Sequence, residues 1–181
     1  MKKMRLSYSL LAQWERGDVQ GAVDTYFHVH KEGNEAMNHG LEVHKQIEEH
    51  IKSYNCFPDW FFKYSLKLPE TEKQVTVEYN ELFDFKRVFD CFDPVDKTLF
   101  EFKTGVSDSL EWARTWQLPI YFLIAEIAKI NIDKAILIRN HKDKSDFVVV
   151  HNSKRLRDRA ANIVDSLGPE IFQYFSDQGL I

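Results

Sequence analysis

With 181 residues, a formal charge of −4 and a pI near 6.0, the chain has no uniformly basic nucleic-acid coat, although a local basic strip fits because the sign of charge can differ between faces. Its 44% hydrophobic and 14% aromatic content suits one domain over residues 1–181 with a sizeable core. Cys56 and Cys91 belong to no CxxC pair, no apolar run is long enough to span a bilayer, and the charged start MKKMRLSYSLLAQWERGD is no signal peptide, so a reduced, cytoplasmic protein without a cysteine-bound metal cluster is expected.

SYSLLAQWERGD and DVQGAVDTYFH read as two short helices separated near Gly17. In HVH at 28–30, the two histidines would diverge on a helix, which favours a surface position over a metal pair. Residues 35–53 form a longer helix whose apolar stripe is Met37, Leu41, Ile47 and Ile51, with His44 on the same stripe and so facing inward. FPDWFFKY at 57–64 is an aromatic loop, either buried or a wedge. From residue 64 the runs YSLKLPE, QVTVEYN, LFDFKRVFDCF and TLFEFKTG read as strands joined in antiparallel hairpins.

After Gly105 a helix capped near Ser107 to Ser109 runs through LEWARTWQLPIYFLIAEIAKI, with Pro119 expected to kink or restart it and Trp112 and Trp116 in the core. KAILIRN and DFVVVHN follow as a strand pair, and SKRLRDRAANIVDSL and PEIFQYFSDQ as two final helices. Lys154, Arg155, Arg157 and Arg159 are either a solvated helix start or a phosphate-contacting strip. The result is an α/β fold: a mixed sheet with the order helix, three strands, helix, strand, and extra elements at both ends.

LFEFKTG at 99–105 raises the chemical question. In a strand, Leu99, Glu101 and Lys103 share one face and Phe100 and Phe102 the other. A four-residue turn at 94–97 pairs Asp93 with Thr98, which places Asp90 opposite Glu101. Like charges opposite one another cost roughly 0.2–1 kcal/mol when exposed and more when covered, so something positive belongs between them. A surface ion pair with Lys103 is one answer. The aromatic surroundings favour another, in which a divalent Mg or Mn sits between two carboxylates with a lysine able to orient water for attack on phosphorus. Glu78 could join the group if its strand neighbours that of Asp90.

These residues resemble the PD-(D/E)XK nuclease superfamily and, within it, the RecB-like nucleases. Gly40-Leu41-Glu42-Val43-His44 is similar to the family's G-x-x-x-H helix, Asp90 to its second-strand aspartate, Glu101-Phe102-Lys103-Thr104-Gly105 to its D/E-x-K-T-G, and Gln117-Leu118-Pro119-Ile120-Tyr121 to its Q-x-x-x-Y, all in family order. LSYSLL is similar to the S-x-S-x-L start of many relatives. Arg87 departs from the pattern, which usually has a small residue three positions before the aspartate.

The resemblance implies a restriction-endonuclease-like core. It implies that His44, Asp90, Glu101 and the Phe102 carbonyl bind one or two Mg or Mn ions, that Lys103 positions the nucleophilic water, and that Gln117 and Tyr121 steady the lysine or touch the nucleic-acid backbone. The iron-sulfur branch needs four cysteines, so a cluster-free branch is implied. The expected activity is hydrolysis of phosphodiester bonds in DNA, single-stranded or with free ends, by an exonuclease or endonuclease of DNA repair or recombination. With no GxxxxGK[ST] loop in the chain, unwinding would fall to a helicase or other protein partner. The rival is a catalytically silent nucleic-acid-binding or protein-interaction module on the same fold.

Overall fold

In the computed structural model, which describes residues 3–29, 35–105, 107, 109–141 and 144–181, the elements are β1 (Met4–Leu6), α1 (Tyr8–Glu15), α2 (Val19–Tyr26), α3 (Glu35–Tyr54), β2 (Glu70–Glu78), β3 (Phe83–Asp93), β4 (Thr98–Lys103), α4 (Ser109–Ala113), α5 (Gln117–Ile127), β5 (Lys134–His141), β6 (Lys144–His151) and α6 (Lys154–Asp177). The expected order of helix, three strands, helix and strand corresponds to α3, β2–β4, α5 and β5. None of the described helices is long and apolar enough to cross a membrane.

The six strands form one mixed sheet in the order β1-β3-β4-β5-β6, with β2 on the other edge of β3. Along the edge of β3 away from β2, the first residues pair in parallel with β1, from Met4↔Phe83 to Leu6↔Phe85. The last residues of β3 pair antiparallel with β4, through Cys91↔Phe100, Phe92↔Leu99 and Asp93↔Thr98. Among the described residues, 86–90 have no ladder partner on that edge, so the sheet opens there. Asp93 fixes the adjoining turn, its carboxylate accepting the N–H groups of Val95 at 3.0 Å and Asp96 at 3.3 Å.

Both faces of the sheet are covered. Leu99, Ala135 and Leu137 join one core with α5, α6 and α1, while Phe100, Phe102, Ile136 and Ile138 join another with Val43, Ile47 and Ile51 of α3 and with Phe57 and Phe61. The alternation expected for β4 is therefore realised between two packed layers, and Glu101 stands on the α5 side.

Several expectations need correction. Leu41 is exposed, and the buried stripe of α3 is Val43, Ile47 and Ile51 instead; the side chain of Met37 lies outside the described residues. YSLKLPE forms no strand beyond a single bridge between Ser65 and Cys56, and β2 begins at Glu70. The helix after Gly105 does restart, as expected, but the break falls at residues 114–116, ahead of Pro119, which is third in α5, inside the first turn where a missing N–H breaks no helical bond. Asp108, one of the expected caps, and the side chain of Trp112 lie outside the described residues; Trp116 is half-buried against the core. The two final helices are one, α6, with Pro169 inside it.

Candidate active site

The site forms where the β3–β4 ladder stops. Its final pair is Cys91↔Phe100, and one step further the Asp90 carboxylate replaces a backbone acceptor, taking the N–H of Phe102 at 2.8 Å. Asp90 and Glu101 are thus neighbours, as the turn register predicts, although they are not a ladder pair. Burial, followed by the charge of Glu101, raises the Asp90 carboxyl well above its ordinary range, against the opposing Phe102 N–H, Lys103 and Arg87.

Glu101 is 1% exposed. Its Oε1 accepts from Lys103 Nζ at 2.8 Å, from Arg87 at 3.4 Å and from the amide nitrogen of Gln117, which also donates to the Tyr121 hydroxyl. Gln117 and Tyr121, one turn apart at the start of α5, are both buried, so the helix locks the orientation of that carboxylate. Its other oxygen, Oε2, is buried and has no hydrogen-bond partner among the described residues. A partnerless buried carboxylate oxygen is costly unless something positive meets it.

His44 approaches from α3. Its ring packs edge-on against Phe102 at 5.7 Å, and it hydrogen-bonds the Phe102 backbone. Burial, against the pull of Glu101, holds the imidazole below its usual range and so neutral at pH 7, the form able to ligate a cation. Gly40 permits this approach, because a Cβ there would fall 2.7 Å from Thr104 Oγ1. Gly40→Ala is expected to cost about 1 kcal/mol net, overpacking outweighing the gain in helix propensity. Urea unfolding checks this: adding Thr104→Ala, which removes the clashing atom, should return the loss, and an unchanged loss in the double variant would refute the contact.

His44 and Asp90 therefore meet at the Phe102 backbone from α3 and β3, with Glu101 the preceding residue of β4. Among the described residues no three His, Cys, Asp or Glu side chains are grouped so as to hold a metal ion, yet the donor types suit a hard divalent cation: a neutral imidazole and two carboxylates, one of which keeps its Oε2 without a partner.

Sequence reasoning missed two features. Arg87, noted only as a departure, has its guanidinium 4.5 Å from the centre of the Tyr121 ring and within reach of Glu101. Glu72 falls between the pairs Thr71↔Cys91 and Lys73↔Phe89, level with Asp90, has a left-handed backbone, φ 50°, and burial, then Glu48, raises its carboxyl. The spacing of Glu48 from His44, one turn along α3, was the available signal. Glu78 is not at the site; it is exposed, pairs with Lys3 and lies opposite Asp84.

Beside the opening in the sheet lies a cavity of about 460 Å³, lined on one part by Lys3, Arg5, Lys86 and Arg87 with one carboxylate, Asp84, and elsewhere by Ser7, Thr25, His28 and the apolar or aromatic Leu10, Tyr26, Phe27 and Val88. This is a local basic patch on a chain of net negative charge. The basic run at 154–159 is largely engaged elsewhere: Lys154 pairs with Asp158 at 2.7 Å, Arg157 with Glu126 at 3.0 Å, and Arg159 stacks 3.9 Å from the centre of Trp116. His28 is exposed beyond the end of α2, and its expected companion His30 lies outside the described residues. In the aromatic loop Phe57 and Phe61 are buried against Phe102 and Trp60 is exposed.

No protein-family model and no curated protein matches the chain. Solved structures do. A phage-related exonuclease from Haemophilus somnus 129PT is 13% identical with a TM-score of 0.59, over 98% of this chain and 97% of that one. The alkaline exonuclease from Laribacter hongkongensis is 11% identical with a TM-score of 0.58, over 97% and 93%. A structure of that enzyme in complex with dAMP is 12% identical with a TM-score of 0.57, over 98% and 93%. At such identities the likeness is one of fold, and the chain has the mixed α/β, restriction-endonuclease-like fold of these exonucleases.

Proposed function

We propose that the chain is a divalent-metal-dependent nuclease of RecB-like type that hydrolyses phosphodiester bonds in DNA. The observation that carries this reading is Glu101, a buried carboxylate with one oxygen held by Lys103, Arg87 and Gln117 and the other without a partner. Likeness of fold to exonucleases, one of them in complex with dAMP, supports it.

In this reading Asp90, Glu101, His44 and the Phe102 carbonyl would hold Mg or Mn, which when bound would acidify water and stabilise the negative charge that develops on the phosphoryl oxygens. Lys103, at the end of β4 with 17% of its side chain exposed, orients the attacking water and balances charge as it develops. Gln117 keeps Glu101 and Tyr121 in place, and burial and Glu101 keep the Tyr121 phenol neutral. Arg5 and Lys86 take the phosphate backbone in the adjoining cavity.

End-labelled single-stranded and double-stranded DNA incubated with Mg or Mn should be cleaved, and EDTA should stop the reaction. Retention of DNA without cleavage under every metal and substrate condition would favour the silent binding module. If the cavity holds backbone, Arg5→Ala combined with Lys86→Ala should raise KM more than it lowers kcat and reduce the salt slope of binding by about one to two. An unchanged slope would remove the cavity from the DNA path.

A further inference from the structure

We infer that Arg87 is a resident counter-charge for Glu101, a positioning residue that occupies the carboxylate before a divalent cation does and so weakens the hold on that cation. The inference rests on the metal-dependent reading above. Arg87 projects from the part of β3 that has no ladder partner on the site's side, and it bridges β3, β4 and α5. Its terminal nitrogen stands 3.4 Å from Glu101 Oε1, and its guanidinium lies over the ring of Tyr121, which is wholly buried and fixed. The placement is not that of a fully satisfied structural arginine, since its Nε is buried without a hydrogen-bond partner among the described residues.

The charges in the site explain what the guanidinium does there. Lys103 and Arg87 both meet Glu101 directly and act on Asp90 at longer range, with Glu72 a third carboxylate nearby, so the two cations offset most of the site's negative charge without a metal. A divalent ion entering the same space meets a guanidinium already beside one of its carboxylate ligands, and the low-dielectric surroundings strengthen that repulsion. Arg87 also lines the cation-rich cavity, so the same group touches both the carboxylate and the space beside it. A small side chain at this position would leave the carboxylates unbalanced until a metal arrived. An arginine keeps the site assembled in the absence of metal, at the expense of metal affinity.

The test is calorimetric titration of the full chain with Mn, together with thermal unfolding in EDTA and in Mn, for wild type, Arg87→Met, Arg87→Lys and Glu101→Ala. Arg87→Met is expected to bind Mn at least about fivefold more tightly than wild type, because a competing charge has gone. It should also unfold at a lower temperature in EDTA, with the deficit closing in Mn. Arg87→Lys should stay near wild type on both counts, and Glu101→Ala should not bind. A merely structural arginine would lower stability without tightening Mn. If Arg87→Met does not fold, Arg87→Gln provides the same comparison. Equal or weaker binding by the folded, charge-free variant overturns the inference while leaving the metal reading intact. A wild type that binds no Mn overturns both.

Discussion

Lys103→Ala is expected to lower DNA cleavage by at least about 100-fold while the protein stays folded, the loss falling on kcat more than on KM. The lysine ends β4 with its ammonium 2.8 Å from Glu101 Oε1, between the buried carboxylate and solvent, where attacking water and a phosphate would meet. Its removal leaves Glu101 with Arg87 and the Gln117 amide, so the buried charge keeps partners and the stability cost is about 1–3 kcal/mol. Arginine is no substitute, because a planar fork on a longer stem cannot reproduce the position of a compact ammonium. Cleavage of end-labelled DNA and a melting curve on the same sample measure both halves of this expectation. Wild-type turnover by a folded Lys103→Ala protein would end the proposed role.

The fold was legible where local chemistry decides it. Gly17, with φ 76°, separates α1 from α2, and Ser7 and Asp18 cap them by accepting the N–H of Leu10 and Gly21. The register of β3 and β4 followed from one turn whose Asp93 bonds its own loop. The elements misread are those that tertiary packing decides. β1 is three residues long and exists because Phe83 to Phe85 offer it an edge. Leu41 and Val43 were competing phases of the same helix, and Val43 faces inward because Phe57, Phe61, Phe100 and Phe102 lie on its side. Pro169 does not divide α6, whose residues Val164, Ile171 and Phe175 on either side of it are packed into one core.

The candidate site was legible as a set of residue types and only partly as geometry. Spacing placed Gln117 and Tyr121 on one helical face and put Asp90 beside Glu101. It could not show that the ladder would end at Cys91, freeing the Asp90 carboxylate to take the Phe102 N–H, because that depends on how β1 and β4 diverge along β3. Arg87 stood out only as a departure from the pattern, and its contacts were invisible. Its partners Glu101 and Tyr121 belong to a different strand and a helix, and no sequence period relates them.

Asp90→Asn is expected to abolish cleavage, by more than about 100-fold, and at the same time to stabilise the metal-free protein at neutral pH by about 1–2 kcal/mol, or roughly 2–4 °C in Tm per kcal/mol. The amide oxygen can still accept the Phe102 N–H, while the negative charge beside Glu101 is gone. The pH dependence follows from the raised carboxyl. An acid whose pKa is higher folded than unfolded binds its proton more tightly in the folded state, so folding is favoured most at low pH and loses stability as pH rises past the ordinary aspartate range. Asparagine has no such loss, so the two proteins should melt together below about pH 4 and separate as pH rises towards neutral. Mn reverses the order. At about 100 times its Kd a bound ion adds about 2.7 kcal/mol to wild type, and the asparagine protein, lacking a ligand, gains far less. The crossing of the two melting temperatures between EDTA and Mn separates a metal site from a salt-bridged surface, in which Asp90 would lose its partners to the substitution and gain nothing from the ion. An asparagine variant that melts below wild type in EDTA at neutral pH, or that gains as much from Mn, contradicts the assignment of Asp90 as a buried ligand.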